Sequence, residues 1–192
     1  GGGKTSLINK LFEDSRSANF EKSISDTSRQ KRQGDLEGKD YYFLSEKDFK
    51  DKIKKEEYVE YATVFGNFYG TSKEEIKTKY NNSNLILELD WQGAYAVKEL
   101  FDDAKLIFLV PPSLDDLKQR LIKRNLDSSE AIESRLSEAK KEISKSEMYD
   151  YLVLNDDFDK AFEDLSQILF EGISPIDFNS RASKDLIKRL VE

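Results

Sequence analysis

"NLILELD" at residues 84–90, "KLIFLV" at 105–110 and "YLVLN" at 151–155 are nearly continuous apolar runs of strand length. Strands buried on both faces are what a parallel sheet covered by helices requires. Each run is followed by a helical pattern, over 91–101, 113–125 and 157–171, and Ser113 with Asp116 has the spacing of a capping pair. Near the start, Thr5 to Asp14 carries Leu7, Ile8, Leu11 and Phe12 on one face, as a short amphipathic helix does. This β-α-β-α rhythm predicts an α/β fold with a parallel, doubly wound sheet.

Residues 20–71 break the rhythm. "YYFLS" (41–45) and "EYVEYATVFGNFYG" (57–70) are aromatic-rich and partly alternating, as half-exposed antiparallel strands are. Between them "SEKDFKDKIKKE" (45–56) opens with Ser45 and Asp48 in capping-box spacing. The reading is an inserted mixed α/β lobe. A second excursion, 128–147, is long, charged and thinly apolar, like a moving flap rather than core. No repeats interrupt the chain, and the three prolines mark no linker.

A chain of 192 residues suits one domain with small insertions. At 38% hydrophobic and 36% charged it has a globular composition. Without cysteine there is neither a disulfide framework nor a thiolate site, and without histidine there is no imidazole base. Carboxylates, lysine, arginine and hydroxyls must carry any chemistry. The net charge of −7 argues against a general nucleic-acid surface. Against that background, residues 118–145 hold eight Lys/Arg and five Asp/Glu, and Arg29, Lys31 and Arg32 form a second basic knot. Two such spots suit a small anionic ligand, although solvated helix faces account for most of the lysines. The longest apolar runs are too short to span a bilayer and no signal peptide is visible, so a cytoplasmic protein with no membrane partner is expected.

The chain opens "GGGKTSL". Gly3-Lys4-Thr5 reads as the back half of a phosphate-binding loop, G-x-x-x-x-G-K-[ST], at the start of a helix whose N–H groups and dipole favour a phosphate. Glu88 and Asp90, at the end of an apolar run, offer carboxylates of the kind that help hold Mg²⁺. The strand that such a loop follows belongs in the middle of the sheet. It and the motif's first glycine, five positions before Gly3, are expected to precede Gly1 as roughly 10–15 further residues.

These segments together resemble the guanylate kinase family. "SISDTSRQKRQGDLEGKDYYFLS", "EYATVFGNFYGTS", "ELDWQGA", "VPPSLDDLKQRLIKR" and "NDDFDKA" look like its successive signatures, in matching order from residue 1 to about Gly172. The resemblance implies a P-loop kinase that transfers the γ-phosphoryl group of Mg-ATP to GMP, and also to dGMP. It implies a core of 1–19, 72–123 and 148–172, a GMP-binding lobe of 20–71 and a lid of 124–147, followed by a helical tail over 173–192.

For GMP the resemblance implies Glu60 as acceptor for the guanine N1 and N2 donors and Thr71, beside Gly70, as the hydroxyl for O6. Arg29 and Arg32 would hold the phosphate, with Tyr41, Tyr69 and Ser25 beside them and Glu88 nearby. On the ATP side it implies the Gly1, Gly2, Gly3, Lys4, Thr5 and Ser6 loop, with Lys4 on the β- and γ-phosphates and Thr5 on Mg²⁺. Arg120, Arg124 and Arg135 would approach the transferring group, and Asn155 the adenine. Lys4, Arg29, Arg124 and Arg135 are the expected catalytic residues, and Thr5, Glu88 and Asp90 the expected metal oxygens.

The family has Asp at Glu88, Pro at Lys31, Glu at Asp35 and Gly at Asn125. A different class stays open, a guanylate-kinase-like binding module without catalysis, as does a kinase for another nucleoside monophosphate. Oligomeric state is undecided by the sequence.

Overall fold

The computed structural model describes residues 3–123, 129–177 and 180–191. Gly1, Gly2, Arg124 and Asn125, which the sequence reading singled out, lie outside them. The described residues gather into two compact units, one from 1–17 with 105–192 and one from 18–104.

The first unit opens with α1 (Lys4–Glu13), whose buried face is Leu7, Ile8 and Leu11 as the periodicity predicts. The chain then enters the second unit. There β1 (Phe20–Lys22) and β2 (Asp26–Thr27) are followed by β3 (Tyr42–Phe43) and α2 (Glu46–Lys54). A hairpin of β4 (Tyr58–Val64) and β5 (Asn67–Ser72) comes next, and α3 (Lys73–Lys79), β6 (Asn84–Ile86) and α4 (Trp91–Leu100) complete the unit. Four strands form a mixed sheet in the order β3-β2-β5-β4. The β4–β5 hairpin is antiparallel, as the alternation over 57–70 predicts. Its turn places Phe65 at φ 49 and Gly66 at φ 77, the paired positive values that a two-residue hairpin needs. Ser45 caps α2 by accepting the Asp48 N–H.

Back in the first unit, β7 (Ile107–Val110), α5 (Leu114–Lys123), α6 (Ser129–Ser144), β8 (Tyr151–Leu154), α7 (Phe158–Ser166) and α8 (Arg181–Val191) follow. β7 and β8 pair in parallel from Ile107↔Tyr151 to Val110↔Leu154. One core cluster joins Leu7 to Val153, Ala161 and Ile168. Another gathers Phe108, Val110, Ile143, Leu152 and Leu190, so the tail helix is packed rather than loose. Ser113 caps α5 through the Asp116 N–H, as its spacing predicts.

Among the described residues the parallel strands pair two by two, one pair in each unit. One pairing differs from the sequence reading: β1, which falls at the start of the stretch read as an insert, pairs in parallel with β6, Phe20↔Asn84 to Lys22↔Ile86. "FEK" is too short and too charged to read as a strand, and only the ladder with β6 makes it one. That partner also ends the strand read over 84–90 at Ile86, so that Glu88 and Asp90 lie beyond the ladder.

Phe49 fixes α2 to the mixed sheet. It is fully buried and stacks on Tyr58 at 4.6 Å and on Phe68 at 5.3 Å between ring centroids. Phe49→Ala removes that stack and is expected to cost about 3–5 kcal/mol in denaturant unfolding. A loss below about 1 kcal/mol would show that the sheet collapses onto the gap or holds without it.

Candidate active site

In the second unit the register of the β4–β5 hairpin decides the chemistry. Counted from the turn it runs from Val64↔Asn67 through Tyr61↔Gly70 to Glu60↔Thr71, so the turn sets Glu60 opposite Thr71, and the extra residue Val59 shifts only Tyr58, which meets Ser72. Residues directly opposite on antiparallel strands share a face. The Thr71 hydroxyl donates to Glu60 Oε1 at 2.6 Å, and both residues are buried. A Cβ added at Gly93 of α4 would stand 2.7 Å from Glu60 Oε2, so only a glycine leaves that oxygen its space. Thr71 is not a helix cap, because Ser72 caps α3 instead. Glu60 is not an outward residue of its strand.

Burial raises the pKa of Glu60 above the ordinary carboxylate range, and the Asp90 carboxylate adds to the rise, while the bonds from Thr71 oppose it. Asp90 is the N-cap of α4, accepting the Gly93 N–H at 3.0 Å and the Gln92 side-chain amide at 3.1 Å. The expected metal oxygen therefore has a local structural duty as well.

The arginine corner follows β2. Arg29 donates to Asp35 Oδ2 at 2.9 Å and to the Gln30 carbonyl, and its guanidinium lies over the rings of Tyr41 and Phe43. The same Asp35 oxygen accepts the Arg32 backbone N–H at 2.8 Å, which leaves the Arg32 side chain exposed. Asp35 is thus long enough to close the turn without the family's extra methylene. Tyr41 packs edge-on against Tyr69 at 5.8 Å. Its hydroxyl is pushed up to about 12 by burial first, with Glu88 and Tyr69 adding and Arg29 opposing. Tyr41, Tyr69, Arg29 and Glu88 therefore share one neighbourhood, and the Ser25 carbonyl accepts the Tyr42 N–H beside it at 2.9 Å. Glu88 pairs with Lys22 at 3.6 Å. A Cβ at Gly70 would press on Phe49 and Tyr58 at 3.0 Å, so this glycine lets the aromatic stack close under the site.

In the first unit Gly3 precedes α1 at φ 82, a left-handed conformation that suits glycine, and α1 has no side-chain cap. Lys4 and Thr5 occupy its first turn, with Thr5 and Ser6 exposed. Asn155 is buried, donates its N–H to the Val110 carbonyl at 2.8 Å, and sets its side-chain amide 3.1 Å from where a Gly3 Cβ would stand. Arg120 pairs with Asp116 one helical turn back on α5 and reaches the Asp156 carbonyl at 3.5 Å, one residue beyond Asn155. Arg135 lies on α6, whose buried side chain is Ile143.

Among the described residues no cluster of three or more Asp or Glu could hold a metal by itself. A nucleotide-borne Mg²⁺ needs only one or two protein oxygens, and the hydroxyl of Thr5 and the carboxylates of Glu88 and Asp90 are hard donors of the right kind. The sequence reading missed Asp26, buried and bonded to Lys52 at 2.5 Å and to the Tyr58 hydroxyl at 2.8 Å. It also missed Glu75, a buried acid that reads from sequence as an ordinary first-turn residue of α3.

A glycine-led helix start beside a buried asparagine, and elsewhere a buried carboxylate–hydroxyl pair near an arginine corner, define a nucleotide-handling α/β protein of the phosphotransfer class. The comparisons agree. The family model described as guanylate kinase matches residues 1–172. A guanylate kinase of Wolbachia sp. subsp. Brugia malayi is 44% identical over 171 residues, 88% of this chain and 87% of that protein. That of Hahella chejuensis is 47% identical over 169 residues, 88% of this chain and 80% of that protein. The crystal structure of guanylate kinase from Anaplasma phagocytophilum superposes with a TM-score of 0.71 at 32% identity, covering 98% of this chain and 92% of that one. The chain belongs to the guanylate kinase family.

The raised pKa of Glu60 has a thermodynamic consequence. A carboxylate whose folded pKa exceeds its unfolded value of about 4.3 favours folding only below that value, and the contribution is lost as pH rises through the folded pKa. Glu60→Gln, neutral throughout, is expected to melt about 2–4 °C above the parent at pH 7 without substrate. The gap should close below about pH 4. A variant that melts lower at pH 7 would contradict the burial cost.

Proposed function

We propose that this chain transfers the γ-phosphoryl group of ATP to GMP, giving ADP and GDP, and accepts dGMP as well. The observation that carries the choice of acceptor is the buried Glu60–Thr71 pair. Guanine presents adjacent N–H donors at N1 and N2 and an acceptor at O6. Glu60 accepts the two donors, and Thr71 turns its hydroxyl to O6. Adenine offers no such adjacent pair on that edge. Losing hydrogen bonds to a charged acceptor costs about 1.5–3 kcal/mol, so Glu60→Gln is expected to raise the KM for GMP roughly 10- to 100-fold. An unchanged acceptor KM rules the role out. A coupled ADP-release assay with GMP, dGMP, AMP and UMP reads the acceptor class directly.

Arg29 and Arg32 receive the GMP phosphate as bidentate forks, with Tyr41, Tyr69 and Ser25 adding hydroxyls. Lys4 and the first-turn amides of α1 receive the ATP phosphates, Asn155 lies toward the adenine, and Thr5, Glu88 and Asp90 would hold Mg²⁺. That ion, when bound with ATP, neutralises phosphate charge. Positioning and charge neutralisation carry phosphoryl transfer, so neither imidazole nor thiolate is needed. Retention of Lys4, Thr5, Arg29, Arg32 and the arginines at 124 and 135 favours the enzyme over a binding module that has lost catalysis.

The finer architecture is part of the proposal: a GMP lobe over 20–71 and a lid over 124–147 that excludes water on closing. The thin burial of α6, where Ile143 is the buried side chain, supports a lid role. Arg135→Ala is expected to lower kcat roughly 10²–10³-fold while moving the GMP KM little, as loss of a donor to developing charge does. Equal turnover by variant and parent would place Arg135 on an ordinary solvated face.

A further inference from the structure

Glu75 is a charged residue with only 7% exposure, on the first turn of α3. An acid there commonly faces water and complements the helix dipole. Here its Oε1 accepts the buried Ile24 N–H at 2.7 Å. Lys79, one turn along α3, bonds the same oxygen and also donates to the Lys22 carbonyl at 2.9 Å. Two side chains of α3 therefore grip the segment from Lys22 to Ile24.

That segment is the crossing between two sheets. It leaves β1 in the parallel pair, with the Ser23 N–H still bonded to the Ile86 carbonyl at 2.9 Å, and enters β2 in the mixed sheet. Ser25 follows Ile24 directly, and Arg29 lies just beyond β2. At the end that carries Glu75, α3 begins next to Thr71, its first N–H groups held by the Glu57 carbonyl and by Ser72 Oγ. Lys22 in turn pairs with Glu88. One carboxylate thus joins the strand that recognises the base to the segment that leads to the phosphate corner.

We propose that Glu75 is a positioning residue of the acceptor site, which sets the spacing between Thr71 on the base side and Ser25 and Arg29 on the phosphate side. This rests on the reading of GMP as acceptor. A role confined to stability predicts a lower melting temperature with unchanged kinetic constants. A positioning role predicts that the KM for GMP moves alone.

The test uses the full chain and the variants Glu75→Ala, Glu75→Gln and Lys79→Met. Glu75→Ala is expected to raise the KM for GMP about tenfold or more, with the KM for ATP and the saturated kcat within about threefold of the parent. Glu75→Gln keeps an acceptor for the Ile24 N–H and is expected to restore most of the loss. Hydrogen exchange at the Ile24 amide should quicken in Glu75→Ala and stay slow in Glu75→Gln. A folded Glu75→Ala with a parental GMP KM overturns the proposal, as does an equal rise for ATP and GMP. If Glu75→Ala does not fold, Lys79→Met decides: a selective rise in the GMP KM supports the clamp, and a parental value defeats it. A parent that turns over no GMP defeats the acceptor reading itself, whereas Ile24 exchange reports on the clamp alone.

Discussion

The two-residue turn at Phe65 and Gly66 constrains the buried carboxylate and all that surrounds it. It pairs Val64 with Asn67, and the ladder counted back from there sets Tyr61 opposite Gly70 and Glu60 opposite Thr71. Glu60 and Thr71 become one buried unit joined at 2.6 Å. Two glycines then follow from steric necessity. Gly70 leaves room for Phe49 and Tyr58 beneath the sheet, and Gly93 leaves room for Glu60 Oε2 against α4. The aromatic stack, the hairpin and the helix are thus arranged so that a carboxylate can stay buried without being fully paired.

Such a carboxylate is unfavourable to the free protein. Burial raises its pKa, and the neighbouring Asp90 cap raises it further. A buried acceptor with a lone oxygen is stabilised by whatever brings donors, so the cost of folding it becomes selectivity in binding. The arginine corner is built differently. Arg29 is held before any ligand arrives, by Asp35 on one side and by the rings of Tyr41 and Phe43 on the other. A cation already ordered loses less conformational freedom on meeting a phosphate.

Much of this was legible in the residues. The helix-start glycines, the apolar runs at 105–110 and 151–155, the antiparallel aromatic hairpin and the caps at Ser45 and Ser113 depend on local chemistry, and all appear where the sequence put them. The illegible parts are those made by a partner distant in the chain. "FEK" is a strand because β6 supplies its ladder. Asp26 is a buried ion because Lys52 and Tyr58 reach it from α2 and β4. Glu75 looks like a solvated helix-start acid until Ile24 is found against it.

By itself, then, the sequence determined the α/β class and the family, because those follow from period and motif order. It could not determine that Glu60 and Thr71 face inward against each other, because an alternating strand gives no sign that its inward position is filled by a carboxylate rather than an apolar side chain. Nor could it show that Asp90 caps α4, that Asp35 draws Arg29 and the Arg32 backbone onto one oxygen, or that α3 grips the crossing to β2. Those are contacts between side chains and backbone groups brought together only by the folded sheet, and tertiary structure alone decided them.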